Sequence, residues 1–213
     1  MKRTRIKICG ITNSRDAEFA VACEVDALGF NLYKKSPRCI DAIAANSIIE
    51  QLPPFVISVG LFVNHPADEV RHAISESSFD LLQFHGDETD DYCMSFGKPF
   101  IKAIRLKVPS ELEMQVSAFP HARGVLLDAY VEGEYGGTGE SIDWADIPDT
   151  NIPVVLAGGL NVINVGLAIE QVAPFAVDVS SGVESEKGVK DHKKIARFVQ
   201  AVRKADSEAS NDK

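Results

Sequence analysis

Eight short, apolar, β-branched runs alternate with helix-patterned segments along almost the whole chain. The runs are Ile6–Ile11, Ala27–Tyr33, Val56–Val63, Leu81–His85, Phe100–Leu106, Gly124–Ala129, Val154–Gly159 and Ala176–Ser180. A spacing of roughly 20 to 30 residues suits successive βα units. Several runs are apolar nearly throughout, Val56-Ile57-Ser58-Val59-Gly60-Leu61-Phe62-Val63 most clearly. Strands buried on both faces of a parallel sheet have that composition, whereas half-exposed antiparallel strands alternate.

The intervening segments carry helix signals. Asn13–Cys23 spaces Ala17, Ala20, Val21 and Glu24 helically, with Asn13 or Thr12 as the cap. Pro66–Ser77 opens on a proline expected in the first turn, with Asp68 and Glu69 near the positive helix end. Asp191–Ala205 presents Ile195, Phe198, Val199 and Val202 on one face. Segments 41–51, 89–96, 110–119, 162–171 and a short piece around Asp143–Asp146 complete the set. No linker interrupts the series. The expected fold is therefore α/β: a single (β/α)₈ TIM barrel over residues 1–205, with eight parallel strands and outer helices. An open doubly wound sheet is the alternative. It lacks support because no G-x-G-x-x-G turn follows the first run. The polar residues 206–213 are expected to form a disordered C-terminal tail.

Composition narrows the function. A formal net charge of −9 opposes nucleic-acid binding. It still permits a small anionic ligand at a locally positive site. Cys9, Cys23, Cys39 and Cys93 form no C-x-x-C or zinc spacing, and no carboxylate–histidine cluster reads as a metal site. They suit the reduced thiols of a cytoplasmic protein. No signal-like stretch follows Met1–Arg5, and no run reaches the ~18 apolar residues that a membrane span needs. The expected partner is a small molecule, with no nucleic acid and no membrane. A monomer is expected because nothing in the sequence marks an interface.

Barrels of this type place their chemistry at the carboxyl ends of the strands. The polar and glycine residues at those ends are therefore the candidates. Gly158-Gly159 and Ser180-Ser181-Gly182 end runs seven and eight, where such barrels commonly bind phosphate through backbone N–H groups. Turning the chain is their plainer role. Cys9 is a thiol at the end of run one, beside Lys7; a packing cysteine is the commoner case. Asp128 closes the apolar Val125-Leu126-Leu127, where a carboxylate needs a cap, an ion pair or acid/base work to justify it. Arg38, after Ser36-Pro37, can fork onto a carboxylate or lie on the surface. His85 reads as a polar liner or a satisfied hydrogen-bonder rather than a proton-transfer group. Gly136, Gly137 and Gly139 suggest a mobile lid, or simply a flexible loop.

Taken together, these motifs are distinctive. Lys7-Ile8-Cys9-Gly10-Ile11-Thr12, Ser36-Pro37-Arg38, Gln83-Phe84-His85-Gly86, Gly136-Gly137-Thr138-Gly139, Leu156-Ala157-Gly158-Gly159-Leu160 and Asp178-Val179-Ser180-Ser181-Gly182-Val183-Glu184 occur in this order, followed by Gly188-Val189-Lys190-Asp191. The set closely resembles the phosphoribosylanthranilate isomerase family from Lys7 to about Arg203. Phe84 and Ile142 are small apolar departures from the family's usual leucine and phenylalanine.

The resemblance implies an enzyme of tryptophan biosynthesis that needs no cofactor. It would carry out an Amadori rearrangement of N-(5-phospho-β-D-ribosyl)anthranilate to 1-(2-carboxyphenylamino)-1-deoxy-D-ribulose 5-phosphate. By the same resemblance Asp128 is the general acid, Cys9 the general base, and Arg38 the binder of the anthranilate carboxylate. The Gly158-Gly159 and Ser180-Ser181-Gly182 loops would hold the phosphate, and Asp178 a sugar hydroxyl. A modest downward shift of the Cys9 thiol would suit that role. Rival readings are a phosphosugar isomerase of histidine biosynthesis, expected to carry aspartate in place of Cys9, and a non-catalytic phosphate-binding barrel.

Overall fold

In a computed structural model the chain forms a closed barrel of eight parallel strands, paired in chain order, with β1 closing on β8. The structure describes residues 3–105, 108–128, 144, 147–148 and 150–211. The strands are β1 (Arg5–Cys9), β2 (Ala27–Asn31), β3 (Ile57–Phe62), β4 (Leu81–Phe84), β5 (Phe100–Arg105), β6 (Val125–Asp128), β7 (Val154–Ala157) and β8 (Ala176–Val179). Outside them lie α1 (Ser14–Ala22), α2 (Ala42–Ile49), α3 (Ala67–Glu76), α4 (Asp90–Met94), α5 (Leu112–Ser117), α6 (Val165–Val172) and α7 (His192–Asn211). A small antiparallel hairpin, β9 (Glu184–Glu186) and β10 (Val189–Lys190), precedes α7.

Strand alternation sorts the core into two layers. Ile6, Ile8, Leu28, Phe30, Phe62, Leu82, Phe84, Phe100, Val125, Leu127, Leu156, Val177 and Val179 pack outward against the helices. Ile101, Ala103, Leu126, Val155, Ala157 and Ala176 fill the barrel interior, with Leu81 against them. Phe84 anchors the outer layer, its ring against Phe62, Tyr92, Phe96 and Phe100. Burial of such large apolar groups is the main force closing the barrel.

Most strands stop short of the apolar runs in the sequence, because the ladder ends where a neighbour no longer pairs. The polar and glycine residues of the runs therefore lie in the loops just beyond. Asn13 caps α1, its side chain accepting from the Asp16 N–H at 2.9 Å. Glu24 falls outside that helix, with φ 61°. Pro66 takes the cap position of α3 rather than the first turn. Of the short piece around Asp143–Asp146, only Trp144 is described.

The expected tail needs correction, since α7 continues to Asn211. Asp206 explains the extension: its carboxylate accepts from the Thr4 N–H at 3.0 Å and from the Thr4 hydroxyl at 2.6 Å. Those bonds tie the last helix to the start of β1. Lys204 and Glu208 add an i,i+4 pair at 3.6 Å.

Candidate active site

Lys7, Cys9, Gln83, Asp128 and Asp178 alternate with outward-packed neighbours and so face the barrel interior. Cys9 and Asp128 end β1 and β6, which lie three strand positions apart around the ring. Both therefore project at one mouth, from different sectors of its wall.

Closure of the barrel makes Lys7 and Asp178 register partners on β1 and β8. Their side chains form a buried ion pair at 3.0 Å. Burial works against the Lys7 ammonium, but Asp178 and Cys9 outweigh it and hold Lys7 above its ordinary pKa. The Cys9 sulfur shares this enclosure. It packs where Gly29 on β2 has no side chain; a Cβ there would lie 2.8 Å from Sγ and 3.1 Å from Lys7 Cε.

The expected downward shift of Cys9 is not found. Burial pushes the thiol up, and the attraction of Lys7 recovers only part of that. Asp178 adds to the rise, and Lys190 opposes it. Lys7 is nonetheless the main stabiliser of the thiolate. Lys7→Met is therefore expected to move the alkylation of Cys9 by iodoacetamide to higher pH, because it removes the adjacent positive charge and leaves Asp178 unneutralised. Peptide mass mapping across a pH series checks this; an unchanged or lower midpoint would contradict it.

His85 follows β4 and stands between two interior groups. Its Nε2 lies 3.4 Å from Asp128 Oδ2, and its Nδ1 lies 3.2 Å from Gln83 Nε2. With Gln83 donating to Nδ1, the ring proton sits on Nε2 and points at Asp128. Gln83 is fully buried, so this orientation is set from inside the barrel.

Arg38 is already engaged. Its Nε and Nη2 both donate to the Glu184 carboxylate, each at 2.7 Å. Glu184 also accepts from the buried Lys190 Nζ at 2.9 Å. Burial disfavours the Glu184 charge, but the two cations overcome it and hold its pKa below the ordinary value. The Glu184 bond in turn raises Arg38. Two of the five guanidinium N–H groups are thus committed, and the Nη1 edge remains for another anion.

The loops after β7 and β8 meet at the same end. Gly158 and Gly159 have φ of 84° and 63°, the left-handed region that favours glycine. Ser180 leads into a short 3₁₀ turn, Ser181–Val183. Gly182 there sits so close to the β7 loop that a Cβ would lie 1.9 Å from the Leu160 carbonyl oxygen. Only glycine permits this approach, and a small anion can span both loops. Gly136, Gly137 and Gly139, expected to form a lid, lie outside the described residues.

The structure thus gathers Cys9, Asp128, His85, Asp178, Arg38 and the two glycine–serine loops at the carboxyl ends of the strands. Sequence reasoning assigned no role to Lys7, Gln83, Glu184 or Lys190. Lys7 was open to inference, since a closed barrel must set β1 beside β8. Gln83 and Lys190 had no comparable signal.

Comparison with known proteins identifies the family and matches the barrel fold. The sequence profile of the family described as N-(5′phosphoribosyl)anthranilate (PRA) isomerase matches residues 6–201. An N-(5′-phosphoribosyl)anthranilate isomerase of Pseudomonas fluorescens (strain SBW25) is 53% identical over 204 residues, covering 95% of this chain and 97% of that protein. The crystal structure of phosphoribosyl anthranilate isomerase from Thermotoga maritima superposes with TM-score 0.85 at 40% identity, covering 94% of this chain and 99% of that one. A further crystal structure of phosphoribosyl anthranilate isomerase holds reduced 1-(o-carboxyphenylamino)-1-deoxyribulose 5-phosphate. It has TM-score 0.81 and 36% identity, again covering 94% and 99% of the two chains.

Proposed function

Because the chain belongs to the N-(5′-phosphoribosyl)anthranilate isomerase family and is the isomerase of that substrate in tryptophan biosynthesis, we propose that Cys9 and Asp128 are its base and acid. The carrying observation is that both side chains face the interior at the carboxyl ends of their strands, beside the two glycine–serine loops.

Asp128 donates its proton to the furanose ring oxygen as the bond from C1 to that oxygen breaks. The nitrogen lone pair forms the C1=N bond, leaving an iminium and a free hydroxyl. The Cys9 thiolate then takes the proton from C2. The released electron pair forms C1=C2 and returns the nitrogen to neutrality, giving an enolamine. Loss of the C2 hydroxyl proton and protonation of C1 complete the aminoketose. The iminium is the electron sink, so the sequence balances without an oxidant or cofactor.

The other residues take binding roles. Gly158, Gly159, Ser180, Ser181 and Gly182 hold the phosphate. The free edge of Arg38 meets the anthranilate carboxylate. Asp178, fixed by Lys7, contacts a sugar hydroxyl, and His85 orients Asp128. Cys9 is a weakly populated but strong base, since burial raises its pKa. The family match favours neither the histidine-pathway isomerase nor a non-catalytic barrel. A monomer is proposed because nothing in the sequence marks an interface, and a cytoplasmic location because Cys9, Cys23, Cys39 and Cys93 suit reduced thiols.

The test is direct: freshly made phosphoribosylanthranilate is expected to lose its fluorescence on addition of this protein without metal or nucleotide. Unchanged fluorescence with folded protein would contradict the assignment.

A further inference from the structure

We propose that Glu184 and Lys190 are positioning residues that lock Arg38 edge-on to the substrate carboxylate and fix its distance from the phosphate loop. The proposal rests on the reading of Arg38 as the carboxylate binder.

Glu184 and Lys190 are register partners across the β9–β10 hairpin. Only 6% of Glu184 and 5% of Lys190 are exposed. Burying two charges, Glu184 and Lys190, is a costly way to close a hairpin, and apolar side chains would serve its stability as well. The triad does what apolar groups cannot. Its carboxylate grips the Nε–Nη2 edge of Arg38 in a planar fork, which fixes the rotation of the guanidinium.

The stem of Arg38 is confined too. It crosses Gly10, where a Cβ would lie 2.6 Å from Arg38 Cδ. The hairpin turn rests on the same loop: a Cβ on Gly188 would lie 2.7 Å from the Pro37 carbonyl oxygen. Lys190 then extends the frame. Its Nζ donates to the Ser180 carbonyl at 3.1 Å and lies 3.4 Å from the Ser180 hydroxyl. One ammonium therefore joins the arginine clamp to the β8 loop. The substrate carries its carboxylate and its phosphate at opposite ends. A rigid spacing between the two anion binders selects for that length and for the presence of both charges.

The experiment compares kcat and KM for phosphoribosylanthranilate and for the phosphoribosyl adduct of aniline, which lacks the carboxylate. Glu184→Gln is expected to raise KM for the anthranilate substrate roughly tenfold to hundredfold, the range of a lost charge-assisted contact, with little change in kcat. The aniline adduct is expected to change less than threefold. Arg38→Ala with Glu184→Gln should be no worse than Arg38→Ala alone, since Glu184 acts through Arg38. Glu184→Asp keeps the charge balance but cannot span the fork. It is expected to lose discrimination in the same way should the glutamine variant fail to fold.

Equal losses on both substrates in a folded Glu184 variant would overturn the positioning role. If Arg38→Ala itself affects both substrates equally, the carboxylate reading of Arg38 falls and the proposal with it. That outcome is distinguished by the arginine variant alone.

Discussion

Cys9→Ala is expected to lower kcat by about 10²- to 10⁴-fold while leaving the barrel folded, the range for removing a positioned proton-transfer group. The adjacent Lys7 cannot substitute. Lys7 is nearest in charge and chemistry, but it is paired with Asp178 and held above its ordinary pKa, so it stays protonated. The structural cost is small. The sulfur is a single heavy atom beside Gly29, and its loss should cost about 1 kcal/mol or less. Fluorescence decay of the substrate measures the rate, and circular dichroism with thermal melting confirms the fold. A rate within tenfold of the unsubstituted enzyme would remove Cys9 from the base role.

Asp128→Asn is expected to produce a loss of similar size, about 10²- to 10⁴-fold. Asparagine keeps the shape of the side chain and can still accept from His85, but has no acidic proton for the ring oxygen. The fall should appear in both kcat and kcat/KM, the mark of an interaction made in the transition state. His85 is the competing acid, because its ring reaches the same region. His85→Asn is therefore the control, and it should lose markedly less than Asp128→Asn. The reverse order would assign the acid to His85 and leave Asp128 as its partner.

The fold was legible because burial on both faces writes a continuous apolar signature into parallel strands. Val59-Gly60-Leu61-Phe62 could hardly be anything else. The site followed from the same logic. In β1, Ile6 and Ile8 face the helices, so Lys7 and Cys9 must face the interior. What escaped the sequence depended on contacts distant along the chain. Asp206 reads as the start of a polar tail until Thr4 is found beneath it. The direction of the Cys9 shift turns on burial, which local sequence does not reveal and which outweighs the visible Lys7. Glu184 lies 146 residues from Arg38, so nothing local announced that the fork of Arg38 was already occupied. The glycines at 136, 137 and 139 keep their place as an expectation from sequence.

The decisive experiment is a crystal structure of this chain with reduced 1-(o-carboxyphenylamino)-1-deoxyribulose 5-phosphate. Cys9 Sγ is expected about 3–3.5 Å from the carbon that corresponds to C2, the separation of a near-attack arrangement. The Asp128 carboxyl is expected across the sugar, and the ligand carboxylate on the free edge of Arg38. A ligand bound with Sγ turned into the barrel wall, or with Asp128 and Cys9 on the same side of the sugar, would contradict this arrangement.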